Sequence, residues 1–209
     1  IEAAQWFPDA QLNFAENLLR YRDDRPALIG LLETGKRRTL SYGELFASVS
    51  KLANALRRHG IAPGDRVAGF MPNVIETVVA MLATTSIGAI WSSCSPDFGI
   101  QGVCDRFGQI EPRILFVADG YYYNGRAVDC LARVAAIQQH LPGLERVIVT
   151  PIVGRNAELG SIENAVWLDD FTDGEAEDSL IFEQLAFDHP LYIMYSSGTT
   201  GVPKCIVHG

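Results

Sequence analysis

The sequence predicts an α/β fold: a mainly parallel sheet with flanking helices. Three observations predict it. Short apolar runs alternate with longer stretches whose apolar positions recur at helical spacing. Capping signals precede the helical stretches, and glycine or proline follows them. Hydrophobic residues make up 48% of the 209, and a complete domain of that length buries about 70% of its unfolded surface. Strands alternating with helices of these lengths form βαβ units, which require a parallel sheet.

The elements follow in order. Residues 26–32 (PALIGLL) read as a strand, and Gly35 with Lys36, Arg37 and Arg38 makes a turn after it. Ser41 followed by Glu44 is a capping box that opens a helix. Leu45, Phe46, Val49, Leu52, Ala53 and Leu56 form its apolar face, and Gly60 and Pro63 end it. Arg57, Arg58 and His59 fall in its last turn, where positive charge suits the carbonyl end of the dipole. Residues 65–71 (DRVAGFM) have a buried-strand pattern. Pro72 and Asn73 then start a second helix, with Asn73 and Glu76 read as its cap and Gly88 as its close. A strand at 89–93, a helix at 101–110, a strand at 113–118, a helix at 128–139 and a strand at 146–150 complete the series.

Regularity fails between residues 151 and 190. Asp169, Asp170, Asp173, Glu175, Glu177 and Asp178 form an acidic stretch without apolar period, read as a solvated surface excursion and not as a metal site. The organisation expected is therefore a lead-in segment (1–35), βαβ units (36–150), the acidic excursion (151–190) and a hairpin (191–209). Net charge is −8, which argues against bulk nucleic-acid binding. Any anion must be met locally, where lysine or arginine joins a glycine-rich turn, and that happens around Lys204 and Arg126. Cys94, Cys104, Cys130 and Cys205 are scattered, with no C-x-x-C pair, so neither a disulfide framework nor a zinc site is indicated. No signal-peptide pattern is visible, and the longest apolar run (78–83) is too short to span a bilayer. The expectation is a cytoplasmic protein without membrane or nucleic-acid partners. Because the first residue is Ile1 and the last residues run out of the strongest motif, the chain is expected to be a piece of a longer one.

That motif is YIMYSSGTTGVPKCIVHG, a strand, a loop and a second strand. Glycines at 198 and 201 let backbone N–H groups approach an anion closely. Ser197, Thr199 and Thr200 add hydroxyl donors, Pro203 stiffens the exit, and Lys204 supplies positive charge for a phosphate chain. The loop is not a Walker A motif, which needs G-x-x-x-x-G-K-[ST] opening a helix. A loop between two strands has no helix dipole to use, so its hydroxyls and glycines rank above Lys204. His208 reads as a strand-end residue, and Trp91 and Phe98 as packing.

YSSGTTGVPK closely resembles the signature of the adenylate-forming superfamily of acyl-CoA synthetases, luciferases and peptide-synthetase adenylation domains. LSYGELFASVSKLANALRRHGIAPGDRVAGFMPN and ETVVAMLATTSIGAI are similar to the first two shared segments of that family, in the expected order. WFPDAQLNFAENLL resembles the opening of acetyl- and acetoacetyl-CoA synthetases. IWSSCSPDFG with DRFGQIEPRILFVADGYYYNGR is most similar to the acetoacetyl-CoA synthetase family, since acetyl-CoA synthetases carry a Gly/Phe-containing stretch where Ser92–Ser93–Cys94–Ser95 stand here.

The resemblance implies an incomplete N-terminal portion of an AMP-binding domain, using ATP, Mg²⁺ and coenzyme A. It implies activation of acetoacetate to acetoacetyl-AMP and transfer of the acyl group to coenzyme A. Ser197, Gly198, Thr199, Thr200, Gly201 and Lys204 would bind the ATP phosphates. Gly125 and Arg126 resemble a turn whose arginine meets coenzyme A, although Tyr123 stands where a second arginine occurs in acetyl-CoA synthetases. The plain reading of Arg126, a surface arginine opening a helix, stays open beside it. The motifs for adenine, ribose, Mg²⁺, the acyl group and a C-terminal lysine are absent from these residues. The resemblance therefore assigns no catalytic residue and no metal ligand here, expects the C-terminal remainder of the chain as partner, and expects these residues to be inactive alone. Acetyl- or propionyl-CoA synthesis, and a non-catalytic nucleotide-binding module, are the competing readings.

Overall fold

The structure, a computed structural model, describes residues 6–155, 157–196 and 201–209. In chain order its first elements are β1 (Gln11–Leu12), α1 (Phe14–Leu18), β2 (Pro26–Leu31), β3 (Arg37–Ser41) and α2 (Tyr42–Arg58). Then come β4 (Arg66–Phe70), α3 (Ile75–Ser86), β5 (Ile90–Cys94), α4 (Ile100–Ile110), β6 (Ile114–Ala118), β7 (Gly120–Tyr123) and β8 (Arg126–Asp129). The last are α5 (Leu131–Gln138), β9 (Arg146–Thr150), β10 (Ala165–Trp167), α6 (Leu168–Phe171), β11 (Leu185–Ala186), β12 (Tyr192–Ser196) and β13 (Lys204–His208).

Seven strands form the central sheet in the order β10-β9-β6-β4-β5-β12-β13. All neighbours run parallel except the last pair, β12 with β13. The α/β expectation is met. The pleat explains the layers. Along β6, Ile114, Phe116 and Ala118 join one apolar cluster while Leu115 and Val117 join the other. Each strand residue points opposite its neighbour, so a strand buried on both faces must be apolar throughout. Helices α2 and α3 cover the first face, and α4 and α5 cover the second.

Local chemistry places several elements as the sequence implied. Ser41 Oγ accepts from the Glu44 N–H (3.2 Å) while Glu44 Oε2 accepts from the Ser41 N–H (2.7 Å), completing the capping box of α2. Gly60 and Gly88 hold positive φ (84° and 76°) just past α2 and α3, a conformation that costs glycine little. Other expectations need correction. Helix α3 starts at Ile75 with Val74 as its cap residue and no side-chain cap bond, so Asn73 does not cap it. The helix expected over 128–139 begins only at Leu131, because residues 120–129 form the β7–β8 hairpin. Residues 37–41 pair back on β2 as a strand. Within 151–190, β10 extends the sheet and β11 pairs with β1.

The amino-terminal edge of the sheet is closed by ions. Arg113 donates to Glu145 Oε1 (2.7 Å) and Oε2 (3.0 Å), to Asp65 Oδ2 (2.5 Å) and to the Gly60 carbonyl (2.9 Å). His59 lies beside this network with its Nε2 buried and without a hydrogen-bond partner among the described residues. Burial, and then the Arg146 charge, hold its pKa below the ordinary value, outweighing Glu145 at 3.9 Å. Among the described residues no helix is long and apolar enough to cross a membrane.

Two outcomes follow from the packing. Gly69 faces Trp91 so closely that an added Cβ would stand 2.7 Å from the indole, and Gly69→Val should cost roughly 1–3 kcal/mol by overpacking, read from the urea midpoint. The unfolded chain takes a proton on His59 more readily than the folded chain does. Its contribution to stability is therefore full above about pH 6.5 and is lost as the pH falls below it. His59→Leu should flatten the melting temperature between pH 7 and 5, a window above the range in which carboxylates titrate.

Candidate functional site at the carboxyl edge of the sheet

The helices that follow β4 and β5 leave these neighbouring strands for opposite faces, α3 to one and α4 to the other. Loops that part in this way leave a crevice at the carboxyl ends of the strands, where open α/β sheets place their ligands. Strand β12 lies parallel beside β5, pairing Tyr192 with Trp91 and Ile193 with Ser92, so it delivers Ser196 to the same edge. Strand β13 returns antiparallel, with Tyr195 opposite Cys205 and Ser196 opposite Lys204. The hairpin read from the sequence is present, and Lys204 stands at its mouth. Ser197, Gly198, Thr199 and Thr200 lie outside the described residues. Gly201 has φ of 97° with open space where a Cβ would stand, so conformation alone requires glycine there.

Strand β12 is held by side chains as well as by its ladder. Ser92 Oγ donates to the Ile193 carbonyl (2.9 Å) and lies 2.9 Å from the Tyr195 hydroxyl. Burial raises the Tyr195 pKa, so this phenol stays protonated and serves as a strut. A cleft of roughly 480 Å³ opens beside the strand, lined in part by Trp91, Ser93, Cys94, Phe98, Arg106 and Tyr195. Trp91 is buried, as its packing role requires, whereas Phe98 stays partly open and carries the Arg106 guanidinium 4.3 Å above its ring. Burial pushes the thiols of Cys94 and Cys130 up to about 11. Neither is a thiolate at neutral pH, so neither is an activated nucleophile.

Gly125 and Arg126 lie elsewhere on the same edge. They belong to the tip of the β7–β8 hairpin, where Asn124 (φ 51°) and Gly125 (φ 71°) make the turn and Arg126 pairs with Tyr123. Arg126 thus opens a strand, not a helix. The Gly125 N–H donates to Glu33 Oε1 (3.0 Å), which docks this tip on the β2–β3 turn. In the sheet, β6 and β12 are three strand positions apart, about 14 Å. The described residues therefore do not join Arg126 and Lys204 in one pocket.

Two groups at this edge escaped the sequence reading. Asp119, just past β6, accepts from four backbone N–H groups: Gly120 (2.9 Å), Ile152 (2.7 Å), Val153 (3.1 Å) and Gly154 (2.8 Å). It ties the root of the β7–β8 hairpin to the loop after β9. Gln109, near the end of α4, reaches the start of β13 and donates to the Pro203 carbonyl (2.8 Å). Its place one residue before a buried isoleucine gave no signal, because a solvent-side glutamine on a helix is ordinary.

Residues 14–209 match the family described as AMP-binding enzyme. The chain belongs to that family. Among relatives of this AMP-binding chain, an acetoacetyl-coenzyme A synthetase from Rhizobium meliloti is 55% identical over 98% of this chain and 31% of its own length. An acetoacetyl-CoA synthetase from Gallus gallus is 45% identical over 99% of this chain and 32% of its own. A solved structure of acetoacetyl-CoA synthetase from Streptomyces lividans superposes with a TM-score of 0.90 at 45% identity, covering 98% of this chain and 31% of that one. This AMP-binding chain therefore spans about a third of the length of the relatives it matches.

Loss of the Asp119 carboxylate would strand buried donors on two loops. Asp119→Ala should lower unfolding free energy by roughly 2–4 kcal/mol, and Asp119→Asn, which keeps one acceptor oxygen, by less. Urea denaturation followed by tryptophan fluorescence reads the difference.

Proposed function

We propose that these residues form an incomplete N-terminal portion of the AMP-binding domain of an acetoacetyl-CoA synthetase, with the segment bounds read from the sequence except that 151–190 also supplies β10 and β11. The match along nearly the whole chain to proteins named acetoacetyl-CoA synthetase carries this reading. The hairpin delivered to the switch-point crevice supports it.

In the first half-reaction a carboxylate oxygen of acetoacetate attacks the α-phosphorus of ATP. The bond to the bridging oxygen breaks, and pyrophosphate leaves. Ser197, Thr199 and Thr200, with the backbone N–H groups of Gly198 and Gly201, are the donors proposed for the phosphates. Preorganised donors of this kind contribute on the order of 10²–10³ in rate each, and Lys204 adds charge at the loop's mouth. In the second half-reaction the thiol of coenzyme A, as thiolate, attacks the acyl carbon and AMP leaves. Arg126, held at its turn by the Gly125–Glu33 contact, is proposed to meet the phosphate end of coenzyme A. Among the described residues no group of three His, Cys, Asp or Glu side chains gathers that could hold a metal. From the sequence the Mg²⁺ site is expected in the remainder of the polypeptide, and no step is routed through it. That remainder, with ATP, coenzyme A and a short acid, makes up the proposed partners, and the cytoplasm is the proposed location.

Pyrophosphate release by the full-length protein against a panel of short acids tests this reading. Acetoacetate should give the highest kcat/KM, and the 209-residue chain alone should form no acyl-CoA. Faster turnover of acetate or propionate would overturn the assignment of the acid. Nucleotide binding without pyrophosphate release for any acid would favour a non-catalytic module.

A further inference from the structure

The carboxamide of Gln109 bridges the last turn of α4 and the beginning of β13, on both sides of Lys204. One Nε2 hydrogen is directed to the Asp105 carbonyl of its own helix (2.5 Å) and the other to the Pro203 carbonyl (2.8 Å). Its Oε1 lies 3.6 Å from Cys205 Sγ, within reach of a weak thiol donor. These three neighbours define the orientation of the amide. Turned over, it would set its oxygen against two carbonyl oxygens and leave the thiol without an acceptor.

We infer that Gln109 is a positioning residue for Lys204 and for the exit of the phosphate loop, a role that rests on the ATP-binding reading of that loop. The backbone contact to Pro203 precedes Lys204 and the side-chain contact to Cys205 follows it. The backbone of Lys204 is thereby flanked by a contact on each side. Strand pairing reinforces the clamp, because Lys204 and Cys205 are laddered to Ser196 and Tyr195 on β12. Helix α4 is itself anchored, with Val103 and Phe107 fully buried in the second apolar cluster. Gln109 thus ties the start of β13 to a helix anchored in the core. Lys204 makes no ion pair among the described residues, which leaves its charge available to an incoming phosphate.

The test compares full-length wild type with Gln109→Leu and Gln109→Glu. Leucine removes both contacts at similar size, and glutamate keeps the acceptor while replacing the donor to Pro203 by an oxygen. Both variants should raise KM for ATP about three- to tenfold, the effect of one hydrogen bond. The KM for the acid and the melting temperature should stay near wild type. In a Lys204→Ala background the same substitutions should add less than they do alone, because Gln109 acts through that residue. A plain packing role would instead lower the melting temperature and leave KM for ATP unchanged, which overturns the proposal. So would full additivity with Lys204→Ala. Should the wild type release no pyrophosphate with any acid, the enzyme reading fails, and titration calorimetry with ATP decides for Gln109. Weaker binding by both variants supports the role; equal binding, or no binding by wild type, overturns it.

Discussion

A parallel sheet in the middle of a domain must be dry on both faces, and the rest of this structure depends on that constraint. Parallel strands cannot be joined by tight turns, so the links from β4 to β5, β5 to β6 and β6 to β9 are crossovers, each carrying a helix to one face or the other. With strand β6 fully buried on both sides, neither face can be left to water. The chain covers one face with α3, between β4 and β5, and must then send α4 to the other. That reversal of direction opens the crevice at the carboxyl edge, so the position of the site is a by-product of covering the sheet.

The two edges of the sheet are treated differently. At the amino-terminal edge Arg113 gathers Asp65, Glu145 and the Gly60 carbonyl into a closed network, and the glutamate pKa is lowered by its hydrogen bond to that arginine. Such partly exposed pairs contribute little to stability individually, but their charges are met by one another. At the carboxyl edge Glu76 pairs with Arg38 and Arg155 with Asp170, while other charged groups bind backbone or stay open. Asp119 organises loops by accepting N–H groups, and Arg106 lies over Phe98. Lys204 and Arg126 are exposed at turns whose backbones are held by neighbours, Gln109 and Glu33. A protein of net charge −8 thus keeps some of its cations where an anionic ligand could reach them.

Docked turns also explain why loops here can be specific without being covered by helices. The Gly125 turn is connected to a residue 92 positions earlier, and Pro203 to one 94 positions earlier. Each contact is modest, but it falls on a segment already limited by a ladder, so little further entropy is lost in forming it. Direction at these sites is set by the local turns and ladders together with distant residues.

The strands 26–31, 66–70, 90–94, 114–118, 146–150 and 192–196 were legible within a residue or two, because each is an apolar run bounded by breakers. The capping box of α2 was legible for the same kind of local reason. The β3 strand and the β7–β8 hairpin were not, since RRTLS and GYYY with RAVD carry mixed polar character and gain strand structure only from their partners. Asn73 looked like a cap, yet the chain needed another residue before turning, and Val74 took the position. The sequence by itself determined the composition of the glycine, serine and threonine loop, its family resemblance and the alternation that makes a parallel sheet. All of these reside in neighbouring residues. Only the tertiary structure decided that Gln109 grips the loop's exit, that Asp119 joins two loops and that Arg126 and Lys204 stand strands apart. Contacts across scores of residues leave no periodic trace in the chain; they exist only once the sheet has set the distances.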